Sequence, residues 1–213
     1  MKTDDLVAML ARNAEPVAAK QGRGRWVAIG AAALLASFVL MAVTLGLRPD
    51  LTQAAADPMF WGKLGYAAAL AVAALLVAWR LFLPGRKLAA APFGIAAPLL
   101  LMLALAVAAL LGAEAGERLP MLLGATWKSC PTNIALLSIP AVGLLMWLAR
   151  DFAPTRPALA GAAVGFTGGA IAAFVYSLHC PEMAAPFVAV WYLLGMLIPA
   201  AVGALIGRRL LRW

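Results

Sequence analysis

The chain contains two cysteines, Cys130 and Cys180, and each is followed directly by proline. Two thiols at neighbouring helix mouths can join as a disulfide, bind a soft cation or react with an oxidant. Three readings follow from the residues: a structural disulfide, a switchable pair sensing oxidant or thiol-reactive metal, and two unrelated interfacial thiols. His179, the sole histidine, and Glu182 flank Cys180. With Cys130 they make a candidate metal set (Cys130, Cys180, His179, Glu182), although the spacing matches no standard zinc pattern. The plainer reading makes His179 an interfacial polar group.

The elements that must position these thiols are membrane spans. Of the 213 residues, 65% are apolar and 12% charged, against roughly 45–50% and about 25% in soluble domains. Apolar runs of about 20 residues are long enough to cross a bilayer as helices. The sequence predicts an all-α membrane protein with six spans, at 26–47, 60–83, 93–113, 130–149, 158–178 and 186–207. The expected organisation is a cytoplasmic tail (1–25), a six-helix transmembrane domain (26–207) and a basic C-terminus (208–213). The run starting at Trp26 is too long for a signal-peptide core and reads as a retained helix.

Positive residues orient the spans. Thirteen of the 17 Lys and Arg residues fall on the side of both termini, including Arg25, Arg80, Arg150, Arg156, Arg208 and Arg209. The other side holds Arg48, Lys63, Arg118 and Lys128. Lys and Arg are retained in the cytoplasm, so both termini are expected inside a bacterial inner membrane. Cys130 opens the fourth span and Cys180 follows the fifth, which puts both thiols at the periplasmic face. The formal charge of +8 reads as topology rather than nucleic-acid binding, because no basic stripe carries stacking aromatics.

Lys63 and Arg80 lie near opposite ends of the second span, where long side chains are expected to snorkel to the interface. Spans free of central ionisable groups count against ion-coupled transport. A membrane thiol oxidoreductase normally carries a Cys-x-x-Cys pair, which this chain lacks. No catalytic residue and no cofactor is expected. A small-solute transporter and a disulfide-stabilised structural subunit remain the alternatives. In the fifth span Gly161, Gly165 and Gly169 form overlapping Gly-x-x-x-Gly motifs, which allow close helix approach, either inside the bundle or across a homodimer. Pro98, Pro140 and Pro199 are expected to kink their spans.

The tail carries a short amphipathic pattern. Thr3 is a predicted N-cap, with Asp4 and Asp5 in the first turn, where the helix dipole favours acid. Leu6, Val7, Met9 and Leu10 form an apolar side, and Pro16 is expected to end the helix. So short a helix needs a surface to lie on. That surface is the headgroup layer of the bilayer or a cytoplasmic protein.

Several segments resemble the NrsF-type negative regulators of bacterial extracytoplasmic-function sigma factors. They are Lys2-Thr3-Asp4-Asp5-Leu6, Arg48-Pro49-Asp50-Leu51, Pro58-Met59-Phe60-Trp61, the run from Ser129-Cys130-Pro131 to Leu137, and His179-Cys180-Pro181-Glu182 through Phe187. The resemblance covers essentially the whole chain. It implies a six-helix inner-membrane anti-sigma factor that sequesters an extracytoplasmic-function sigma factor and releases it under heavy-metal or oxidative stress. It also implies that Cys130 and Cys180 are the sensing pair. The cytoplasm-facing parts lack the His and Cys residues of soluble zinc-binding anti-sigma domains. Sigma binding is therefore expected on the short tail, the cytoplasmic loops or the C-terminus, with Thr3, Asp4, Asp5, Leu6, Met9 and Leu10 as the candidates on the tail.

Overall fold

A computed structural model describes residues 3–12, 19–83, 88–152 and 154–211. Lys2, Pro16, Arg86, Lys87 and Arg212 lie outside the described residues. The described chain is helical throughout: α1 (Thr3–Arg12), α2 (Ala19–Thr44), α3 (Leu51–Ala54), α4 (Pro58–Phe82), α5 (Ala91–Gly112), α6 (Arg118–Leu123), α7 (Cys130–Leu137), α8 (Ile139–Ala149), α9 (Pro157–Tyr176), α10 (Ala185–Phe187), a π-helical turn (Val188–Tyr192) and α11 (Leu193–Leu210). Five helical stretches are long and apolar enough to cross a membrane, and α7 with α8 makes a sixth, bent by 41°. These stretches match the six expected spans in position, with ends shifted by no more than three residues.

Local chemistry accounts for the breaks. Pro140 follows the first residue of α8, where its missing N–H ends the α7 ladder. At the joint, the buried Ser138 hydroxyl donates to the Ala135 carbonyl. Pro98 and Pro199 sit inside continuous helices. The Asp57 carboxylate caps α4 by accepting from the Met59 N–H, with Pro58 in the first turn. The first long helix begins at Ala19, so the expected boundary at Trp26 falls inside it. Backbone hydrogen bonding does not stop at the edge of the apolar run.

The core is organised around α9. It touches α2, α4, α7, α8 and α11, and 72% of its central window is buried, against 11% for the peripheral α5. Glycine makes this possible. A Cβ on Gly161 would strike the Gly203 carbonyl, one on Gly165 the Pro199 carbonyl, and one on Gly169 the Met196 backbone. Gly203 and Gly207 supply the matching gaps on α11. Two backbones therefore meet with almost no side chain between them. This corrects the homodimer option for the Gly161/Gly165/Gly169 face: α11 of the same chain already fills it.

The two ends of the bundle differ in kind. At one, Trp26 packs against Trp79, Phe82 and Phe152, Arg25 pairs with Asp151, and Arg156, Arg208 and Arg209 share a cavity. At the other, the loops after α2, α6 and α9 meet around the cysteines. Among the residues whose side chains are described, Arg25, Arg156, Arg208 and Arg209 lie at the first of these ends and Arg48 and Lys63 at the second. In α1, Thr3 is already helical rather than a flanking cap, and Asp5, Val7 and Met9 are exposed. The side chains of Asp4, Leu6 and Leu10 lie outside the described residues.

Candidate thiol site

Cys130 is the first residue of α7, and its N–H donates to the Thr126 carbonyl at 2.9 Å. Cys180 leaves the end of α9, with its N–H donating to the Tyr176 carbonyl at 2.9 Å. The helices that deliver them, α7 and α9, pack against each other. As a result the two thiols face each other as hydrogen-bonding partners, and both are free thiols. The structure therefore brings together the two residues that the charge pattern placed on one face.

Both thiols are 0% exposed. A position at a helix terminus therefore does not open them to reagents. Tyr176, Phe187, Tyr192 and Ile134 share their core cluster, and Trp127 packs on its rim. Trp127 also stacks on Trp191 at 5.4 Å between ring centroids, and the Trp191 indole N–H donates to the Leu122 carbonyl. Val188 and Tyr192, which begin and end the π-helical turn, are both buried in this cluster.

The segment Cys180-Pro181-Glu182 is held from several sides. The Lys63 ammonium donates to the Cys180 carbonyl at 2.7 Å and to the Glu182 carbonyl at 3.1 Å. The Arg48 guanidinium donates to the same Cys180 carbonyl at 3.3 Å while forking onto Asp50. One Glu182 carboxylate oxygen accepts from the Ala125 N–H, the Thr126 N–H and the Thr126 hydroxyl. Gly124, at φ +57°, lies directly beneath that carboxylate. Glu182 thus closes the loop after α6 over the mouth of α7.

Lys63 was expected to snorkel. It is instead 0% exposed, the one charged side chain among the buried residues described. A buried ammonium is tolerated only where acceptors replace its water, and the two loop carbonyls do so. His179 and Glu182 do not join the thiols as ligands. His179 Nδ1 lies 2.9 Å from the Gly46 carbonyl, and Glu182 is engaged by the amides of Ala125 and Thr126. Among the described residues no group of three or more His, Cys, Asp or Glu side chains is placed to hold a metal ion. This corrects the four-residue metal set.

The Cys180 thiol is pulled down to about 6. The largest cause is the hydrogen bond from Cys130, burial opposes it, and the positive charge of Lys63 adds to it. The direction of the shift favours a proton held on Cys130 and shared with the Cys180 sulfur. This pair is set up for two-electron oxidation to a disulfide and for capture of a soft cation, and both need the covering loop to move.

A helical chain whose long helices are apolar enough to cross a membrane, with a sealed, charge-pinned thiol pair at one end, is the class this structure defines. The chain belongs to the family described as negative regulator of sigma F, whose model matches residues 10–213. It is 48% identical over 214 residues to the probable anti-sigma-F factor NrsF of Azospira oryzae, with all of both chains covered. It is 37% identical over 219 residues to the anti-sigma-F factor NrsF of Caulobacter vibrioides, again with full coverage of both. No solved structure matches the chain.

Proposed function

We propose that this protein is a membrane-embedded anti-sigma factor that holds an extracytoplasmic-function sigma factor at the cytoplasmic face of the inner membrane. In this reading both termini are cytoplasmic and Cys130 and Cys180 sense thiol-directed stress from the periplasmic side. The role is regulatory, with no catalysed reaction. The observation that carries it is the sealed thiol pair, which joins the start of α7 to the end of α9, the helix that packs against α11. Full-length relatives named as anti-sigma-F factors support the choice of partner.

The chemistry balances with a hydroperoxide as oxidant. Two thiols become one disulfide, and the hydroperoxide is reduced to an alcohol and water, taking two electrons and two protons from the pair. A soft divalent cation bridges the same sulfurs after displacing their protons. Either event replaces a hydrogen-bonded contact with a tighter link between α7 and the end of α9. Because α9 and α11 touch backbone to backbone, that displacement is carried along α9 rather than absorbed by side chains. The sigma factor docks on the 1–25 tail, through Asp4, Asp5 and the apolar side with Leu6, Met9 and Leu10. A change of about 1.4 kcal/mol at that contact alters occupancy tenfold.

Affinity capture of the full chain from solubilised membranes tests the partner, and recovery of no sigma factor overturns the reading. Replacing Cys130 and Cys180 with Ser should lock a sigma-dependent reporter in one state. A normal response to oxidant and metal would remove the sensing role and leave a structural membrane subunit. Asp4→Ala with Asp5→Ala should raise reporter activity without stress, and unchanged repression moves the docking site elsewhere.

A further inference from the structure

We propose that the basic end of the bundle holds a binding site for one anionic glycerophospholipid, with its phosphate on Arg156, Arg208 and Arg209 and an acyl chain in the groove beside α9. The three arginines converge with Pro157, Ala158 and Leu159 around a cavity of about 560 Å³ that no acidic residue lines. They differ from two other arginines at this end: Arg25 is paired with Asp151 and Arg80 donates to the Leu88 carbonyl, whereas the side chains of Arg156, Arg208 and Arg209 have no hydrogen-bond or ion-pair partner among the described residues. The close seating of Gly207 against Pro157 and Gly161 holds the last turn of α11 against the first turn of α9. This fixes three guanidinium groups around one space. Planar guanidinium forks match phosphate oxygens in pairs. The start of α9 adds backbone N–H groups that no side chain caps.

An apolar groove lies beside this cavity, across Leu159. Leu159 also lines a second cavity of about 440 Å³, walled by Ile95 and Leu99 of α5 and by Ala162, Phe166 and Ala200. From Leu159 to Phe166 the groove descends about 10 Å at 1.5 Å per residue. A phosphate site at the ends of two spans, opening into hydrocarbon-lined depth, has the shape of a headgroup with its chain. A free phosphate would leave the groove empty. A zwitterionic headgroup would bring a cation towards three unpaired arginines.

The test uses the full chain purified in neutral detergent, with lipid retention read by native mass spectrometry. Phosphatidylglycerol and phosphatidylcholine are offered at equal concentration, and the expected retention ratio is tenfold or more in favour of phosphatidylglycerol. The triple variant Arg156→Gln/Arg208→Gln/Arg209→Gln should bring the ratio to near one. If it does not accumulate, the single variants Arg208→Gln and Arg209→Gln should each lower the ratio several-fold. Ala162→Trp, which fills the groove, should reduce phosphatidylglycerol retention with all arginines present. Arg118→Gln at the opposite end should leave the ratio unchanged. Equal retention of the two lipids, an unaltered ratio in the arginine variants, or an equal drop in Arg118→Gln overturns the site. So does inorganic phosphate raising the melting temperature as much as phosphatidylglycerol, since the groove would then contribute nothing.

Discussion

Among the residues whose side chains are described, every cation at the thiol end of this molecule has a partner, whereas at the opposite end most lack one. Lys63 and Arg48 converge on one carbonyl, Arg118 donates to Ala113, and Lys128 lies over the Trp127 ring. At the opposite end Arg150, Arg156, Arg208 and Arg209 have no such partner among the described residues. The same residue types therefore do different work. Buried and bonded, a cation stabilises one arrangement of loops, and losing it leaves acceptors unsatisfied. Exposed and unpaired, it costs little to keep and remains available to phosphate or to a protein surface. The difference separates a sealed input from an open face.

Both ends depend on the α9–α11 contact, and breaking it should have the largest effect. Gly165→Leu drives a side chain into the Pro199 carbonyl and the Ala200 backbone. Overpacking of this kind should cost about 3 kcal/mol or more, read as lost membrane accumulation and a lowered melting temperature in detergent. A Gly165→Leu protein of normal stability would show that the two helices slide freely, and the long-range coupling would lose its basis.

Lys63→Met comes next. It removes the donor to the Glu182 carbonyl and the nearer of the two donors to the Cys180 carbonyl. The expected loss is about 1–3 kcal/mol, with Cys180 alkylated faster as the loop loosens. Unchanged alkylation would mean that Arg48 and Glu182 suffice to hold the loop.

A pH dependence should follow from the same site. The Cys180 thiol sits at about 6 in the folded protein, and an unfolded thiol sits at about 8.5. The unfolded chain binds more protons between those values. Stability of the reduced protein should thus rise with pH across that window and be lost as pH falls through the lower value. The slope is at most about 1.4 kcal/mol per pH unit, and Cys180→Ser should flatten it. A slope that survives the substitution assigns the titration to another group.

Much of this was legible from residue order. Hydropathy and basic residues located six spans and two chemically distinct ends, because those signals are summed over many residues. The meeting of Cys130 and Cys180 was legible because adjacent antiparallel helices return to the same height. Lys63 was misread because its distance from the start of a span cannot reveal where the carbonyls of residues 180 and 182 point. His179 and Glu182 were grouped with the thiols by sequence proximity, yet each turns away to a loop from elsewhere in the chain. The π-helical turn at Val188–Tyr192 has no local sequence signature. The partner of the glycine face was in plain view: Gly203 and Gly207 repeat the spacing of Gly161 and Gly165, and a small-residue face opposite another is the signature of an internal contact.

The smallest effect on stability is expected at the open end. Arg208→Gln with Arg209→Gln removes two charges that hold nothing together. In neutral detergent, without added lipid, the melting temperature should match the parent chain within about 0.5 kcal/mol of stability. The contrast with Lys63→Met matters more than either value alone, since both variants delete positive charge. A double arginine variant as damaged as Lys63→Met would mean that these arginines brace the α9–α11 ends, and the division into a sealed end and an open one would fail. Parent-like stability combined with lost phosphatidylglycerol retention would make the division functional, with fold and ligand binding resting on different cations.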